Sequence, residues 1–72
     1  MKMIGLREIR KLKGYSQLKV AMDLSISREA LSYYERGKRS PDINMLIQLS
    51  EYFDVSIDYL IHGKEFKSKK NS

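Results

Sequence analysis

Two residues, Ser25 and Ile26, are all that separates a helical phrase ending at Leu24 from Ser27, a residue suited to cap the next one. A link that short gives two helices no room to run side by side. They must cross steeply and lock together, and the crossing point needs a small side chain. Ala21 supplies it, since a larger group there would hold the two backbones apart. The chain around this crossing has 72 residues, close to the lower limit at which an apolar core alone holds a fold. One all-α domain is therefore expected.

The remaining punctuation predicts five short helices and almost no strand. Leu6, Ile9 and Leu12, with Lys and Arg between them, give the 3.6-residue period of an amphipathic first helix that Gly14 ends. Ser16 caps a second helix with Val20, Ala21 and Leu24 on its buried side. A third helix runs from Ser27 through Leu31 and Tyr34 to Arg36, with Gly37 as its stop. Ser40 is expected to cap a fourth, with Pro41 at its first position and Ile43, Leu46, Leu49 and Phe53 as its apolar stripe. Ser56 caps a last short helix that carries Asp58 in its first turn and ends at Gly63. The expected core is Leu6, Ile9, Leu12, Val20, Ala21, Leu24, Ile26, Leu31, Leu46, Leu49, Phe53, Val55 and Leu60. Met1, Met3 and Met22 read as surface residues or fillers, and His62 as exposed near a helix end. The domain is expected to span residues 1–63, with residues 64–72, one aromatic and four Lys among them, as a basic mobile tail.

Composition excludes several chemistries. With no cysteine and one His, neither a disulfide framework, a thiolate metal site nor a histidine-based centre is expected. No nucleophile–base arrangement and no phosphate-cradling glycine loop points to an enzyme, and no cofactor is implied. No apolar run approaches the roughly 18 residues of a membrane span. The N-terminus lacks a signal peptide's apolar core, so a cytoplasmic location is expected. Charge is unevenly spread: residues 1–40 carry ten Lys or Arg against four acids, net +6, and residues 41–63 carry four acids and no Lys or Arg, net −4. A basic front half suits a polyanion, although a merely solvated face reads the same way.

The steep pair of helices is the geometry of a helix-turn-helix, whose second member can enter the roughly 12 Å major groove. The third helix has Leu31 and Tyr34 on its inner side and Arg28, Glu29, Ser32 and Tyr33 on its outer side, all able to reach base edges. In chain order the sequence also carries Leu6-Arg7-Glu8-Ile9-Arg10, Gly14-Tyr15-Ser16-Gln17, Val20-Ala21, Ser27 with Leu31-Ser32, Tyr34-Glu35-Arg36-Gly37-Lys38-Arg39-Ser40-Pro41, and Val55-Ser56-Ile57-Asp58-Tyr59-Leu60. These pieces, at this spacing from Leu6 to about Ile61, resemble the phage-repressor-like, or Cro-type, helix-turn-helix regulators of the xenobiotic-response-element family.

The resemblance implies a five-helix lambda-repressor-like DNA-binding domain and a sequence-specific transcriptional regulator, a repressor by expectation, with the helix from Ser27 to Arg36 in the major groove. Arg28, Glu29, Ser32 and Tyr33 match the base-reading positions. Arg28 can donate two bonds to guanine O6 and N7, while Glu29 can accept from cytosine N4 or orient Arg28. The bland alternative for both is a surface ion pair. Phosphate contacts are implied for Ser16, Gln17, Lys38 and Arg39, and for Arg36 and Asn44 more weakly, with backbone N–H groups at the starts of the second and fourth helices. Arg10 and Glu35 match a pair that braces the first and third helices, and Arg10 could also meet a phosphate. Unpaired surface charges are the alternative. A homodimer on a pseudo-palindromic operator is implied, with Ile57, Tyr59 and Ile61 at its interface unless they finish the core. Alternatives of other kinds are an antitoxin or immunity-type regulator that also binds a partner protein, and an interaction module that has lost DNA binding.

Three positions depart from the family pattern. Ser25 and Asp54 stand where glycine (or, at the latter, asparagine) is usual, and Lys19 stands where a glutamate completes a capping box. A positive φ at Ser25 would cost about 1 kcal/mol. Lys19 would weaken the second helix slightly and place a positive charge near DNA.

Overall fold

A computed structural model describes residues 2–63, which form five helices and no strand. In chain order they are α1 (Ile4–Leu12), α2 (Gln17–Asp23), α3 (Arg28–Arg36), α4 (Ile43–Phe53) and α5 (Ile57–His62). Met1 and the tail expected at 64–72 lie outside the described residues.

The predicted caps fix most of the helix starts. Ser16, Ser27 and Ser56 each take an extended backbone and accept from the amide three residues on, at 3.0, 2.9 and 3.0 Å. Each satisfies one of the amides that a helix start leaves without a partner. The fourth helix corrects the expected boundary. Its cap is Asp42, whose Oδ1 accepts from Met45 N at 2.8 Å, so Ser40 and Pro41 precede the helix. Pro41 has its ring buried instead of occupying the first helical position. Gly37 ends α3 in the left-handed region at φ 80°, where glycine carries no Cβ penalty.

The core is built from Met3, Leu6, Val20, Leu31, Leu49, Phe53 and Leu60, with Ala21 buried at the α2–α3 crossing as its size requires. Ile9, Leu24, Ile26, Leu46 and Val55 pack against this cluster partly buried, as do Tyr15, Met45 and Tyr52. Two expectations are overturned, and of the two readings of Met3 the filler holds. Leu12 is 65% exposed and Ile43 is 70% exposed, whereas Met3 is fully buried. The helical period explains the first two. At about 100° per residue, Leu12 points about 120° away from Leu6, and the inward position falls to Arg10. Ile43 is likewise about 120° from Leu49, and Met45 fills the place it was expected to take. Met3 precedes α1, but its unbranched side chain reaches the gap beneath the helix.

The α2–α3 turn closes tightly. Ile26 N donates to Ala21 O at 2.9 Å and Ser25 N to Met22 O at 3.2 Å. This wrapping puts Ser25 at φ 58°, the strained non-glycine conformation anticipated, and Asp54 takes φ 57° after α4.

Helix α1 lies directly against α5. A Cβ built on Gly5 would lie 1.6 Å from the Tyr59 carbonyl oxygen and 2.9 Å from Gly63 N, both backbone atoms that no rotamer can move. Gly5→Ala is therefore expected to force the helices apart and cost roughly 3 kcal/mol or more, lowering the thermal midpoint by about 12 °C or more. Circular-dichroism melting that finds a shift of only a degree or two would show that α1 and α5 do not meet this closely.

Between α2 and α4, the Tyr52 hydroxyl donates to Asp23 Oδ2, and Lys19 Nζ reaches the same oxygen at 3.0 Å. The Tyr52 hydroxyl, and then Lys19, hold the exposed Asp23 carboxyl below its usual range. Burial and then the bond to Asp23 push Tyr52 up to about 12. A phenol that ionises later folded than unfolded contributes stability that is complete below its unfolded value. That contribution is lost as pH rises towards 12. In Tyr52→Phe the alkaline fall of the melting temperature between about pH 10 and 12 should be shallower than in the wild type. Equal slopes would exclude a Tyr52 contribution.

Candidate nucleic-acid interface

Helix α3 is positioned from both sides. Inward, Leu31 and Glu35 are buried at i and i+4, so that one face of the helix is fixed against the core. Outward, Arg28 and Glu29 are exposed in its first turn, with Ser32 and Tyr33 half-buried one turn on. Spacings of one, four and five residues from Arg28 place all four side chains on one face. Arg36 lies one further turn along and bends back over this face, its Nε donating to Ser32 Oγ at 3.2 Å and its guanidinium 5.4 Å from the Tyr33 ring.

Past Gly37 the chain turns beside the same surface. Lys38 N donates to the Tyr33 carbonyl at 2.9 Å, and both Lys38 and Arg39 are exposed. With Tyr33 and Arg36 they line an open hollow of about 590 Å³. An adjoining cleft of about 770 Å³ brings Lys2 and Arg7 to Arg36 and Lys38. Lys2 and Arg7 were not singled out from the sequence. Their placement depends on the N-terminal segment, which runs so close to α3 that a Cβ on Gly37 would lie 3.0 Å from Lys2 Cα. The one available signal was the apolar side chain of Met3, which anchors that segment.

The second helix presents Gln17 at its first position, half-buried and linked to both neighbours. Its Nε2 donates to Glu35 Oε1 at 3.1 Å, and its Oε1 accepts from Arg28 Nη1 at 3.3 Å. Among the described residues the partner of Arg28 is thus Gln17 and not Glu29. Ser16 is exposed, and its hydroxyl caps α2. Lys19 does not extend the basic surface as expected: it folds onto Asp23 and stacks on the Tyr15 ring at 4.9 Å. Asn44 is exposed in the first turn of α4, where the Asp42 carboxylate already caps the helix and adds negative charge.

Arg10 and Glu35 form the brace between α1 and α3. Arg10 Nε meets Glu35 Oε2 at 2.6 Å, Nη2 meets Oε1 at 3.1 Å, and Nη1 donates to the Tyr15 carbonyl at 2.9 Å. The Arg10 side chain is only 9% exposed, so the guanidinium is turned inward and not towards an external anion. At the start of α5, Ile57 is 36% exposed. Tyr59 and Ile61 are only partly exposed, and the Tyr59 hydroxyl donates to Glu8 Oε1 at 3.0 Å. None of the described helices is long and apolar enough to cross a membrane, and no group of three or more described His, Asp or Glu residues could hold a metal ion.

Comparison with known proteins places this geometry. A family profile described as Helix-turn-helix matches residues 6–60. The chain is 47% identical over 66 residues to the HTH-type transcriptional regulator ImmR of Bacillus subtilis strain 168, a match covering 92% of this chain and 51% of ImmR. It is 44% identical over 60 residues to YqaE of the same organism, covering 83% and 52% of the two chains. With the HTH-type transcriptional activator BcrR of Enterococcus faecalis it shares 38% identity over 60 residues, covering 83% of this chain and 29% of BcrR. The chain thus spans about half the length of ImmR and YqaE. Five helices, a short turn locked at Ala21 and a polar outer face on α3 agree with that match, and the chain belongs to the Cro/C1-type helix-turn-helix family.

Proposed function

We propose that this chain is a sequence-specific double-stranded DNA-binding regulator of transcription that reads the major groove with α3. The observation that carries the reading is the outer face of that helix. Arg28, Glu29, Ser32 and Tyr33 stand on it together, with Gln17 on one flank and Lys38 and Arg39 on the other. Arg28 donates to a guanine edge, Glu29 accepts from a cytosine, Ser32 adds a permissive bond, and Tyr33 sets its ring against a thymine methyl. Gln17, Lys38 and Arg39 hold the phosphates that fix the register, with Ser16, Arg36 and Asn44 in support. Arg10 contributes as a brace, since its buried guanidinium is turned to Glu35 and the Tyr15 carbonyl.

One recognition helix covers too few base pairs to define a site in a genome, so two copies bind a pseudo-palindromic operator with half-sites about 34 Å apart. Ile57 is the exposed apolar group on α5 for that interface, with Ile61 and the ring of Tyr59 beside it. Whether occupancy represses or activates follows from where the operator lies relative to the promoter. Repression is the simpler consequence of a bound domain that blocks polymerase.

Binding to the DNA upstream of the chain's own gene should exceed binding to scrambled DNA by about a thousandfold at near-physiological salt. Arg28→Ala should abolish most of that ratio, whereas Lys38→Ala should weaken both DNAs alike and lower the salt slope by about 1. Equal, weak binding to both duplexes would count against the reading and move an antitoxin-type role, with affinity supplied by a protein partner, to first place. For the dimer, Ile57→Asp should give monomers by analytical ultracentrifugation and lose operator affinity. A dimer that persists unchanged would place the interface elsewhere.

A further inference from the structure

Arg10, Glu35, Gln17 and Arg28 form one continuous hydrogen-bonded line from the core to the outer face of α3. The Glu35 side chain is 3% exposed, and a carboxylate can only accept hydrogen bonds. Arg10 gives donors to both of its oxygens, and Oε1 accepts a further bond from Gln17 Nε2. The amide nitrogen of Gln17 must therefore face Glu35, because its carbonyl oxygen would meet only lone pairs there. This leaves Gln17 Oε1 turned outward, where it accepts from Arg28 Nη1.

We infer that Glu35 is a positioning residue for base reading: by fixing which way the Gln17 amide faces, it restricts position 28 to a hydrogen-bond donor and holds the Arg28 guanidinium ready for a guanine edge. The inference rests on the DNA-binding reading above. Arginine has five N–H donors, so one given to Gln17 leaves the pair that guanine O6 and N7 require. A carboxylate at position 28 would meet the Gln17 carbonyl oxygen and be driven off the site. The second N–H of Gln17 stays free to meet a phosphate oxygen, so one side chain can orient Arg28 and anchor the backbone at once. Ordering a side chain with many rotamers before binding removes a cost otherwise met on association, equivalent to about three- to tenfold in affinity.

The test uses the whole 72-residue chain and a duplex that the wild type enriches from a random-sequence pool. The G·C pair read by Arg28 is the one whose replacement weakens the wild type but not Arg28→Ala. Glu35→Gln alone would leave the Arg10 charge buried without its partner, so the working variant combines Arg10→Met with Glu35→Leu. An apolar pair of similar volume generally keeps the fold. Discrimination at that G·C pair should fall about three- to tenfold with the salt slope unchanged, and the NMR order parameter of Arg28 Nε–H in the free protein should drop. Gln17→Met, which leaves the ion pair in place, should lower that order parameter equally. A wild type that enriches a sequence, with a double variant that keeps full discrimination and the same Arg28 order parameter, overturns the positioning role alone. A wild type that enriches no sequence overturns the DNA-binding reading, and the role of Glu35 in base reading with it.

Discussion

The ion pair between Arg10 and Glu35 is where the fold and the candidate interface depend on each other. It joins the first helix to the third, and both side chains are almost wholly withdrawn from water. Withdrawing two charges from water costs several kcal/mol per ion. Mutual attraction offsets that only when the remaining hydrogen-bonding capacity is used. Here it is used: Glu35 accepts from Arg10 through both oxygens and from Gln17, and Arg10 also donates to the Tyr15 carbonyl. An apolar pair could fill the same space at equal stability. It could not orient Gln17, because it would offer that amide no acceptor. Geometry is therefore the better explanation for burying charge in so small a core.

The rest of the scaffold works at close tolerance around that brace. Gly5 lets α1 lie directly on the backbone of α5, and Ala21 lets α2 cross α3 without a spacer. Ser25 and Asp54 accept left-handed backbone conformations that glycine would adopt at less cost. A domain of this length has about 4–11 kcal/mol in total stability, so a strained residue at about 1 kcal/mol is a noticeable share of it. The strain persists because wrapping the turn lets Ile26 N reach Ala21 O and brings Ile26 onto the core.

The sequence made the helix starts legible wherever a serine precedes the amide it caps, because that signal is local. It misplaced the start of α4, where Ser40 and Asp42 are both competent caps and the nearer carboxylate takes the role. Its errors in the core have one cause. Leu12 and Ile43 are apolar and near the right period, but tertiary packing selects an arc of each helix, and in α1 that arc includes a charged residue. Arg10 and Glu35 are 25 positions apart, and the family resemblance suggested their pairing where composition could not. The Gln17–Arg28 bond was invisible, since it depends on which way an amide is turned.

Helix α3 keeps the groups that hold the fold apart from the side chains of its outer face. Its start is held by Ser27, its end by Gly37, and its inner face by Leu31 and Glu35. None of these groups needs Arg28, Glu29, Ser32 or Tyr33. Outward residues on a helix held this way can change with little effect on the fold, because their burial contributes little to it. A scaffold of this kind can present different side chains to different base sequences while its core stays fixed. The exception is position 28, where the outward-turned carbonyl of Gln17 links the outer face to the buried pair. There a new side chain has to suit the carbonyl oxygen that it meets.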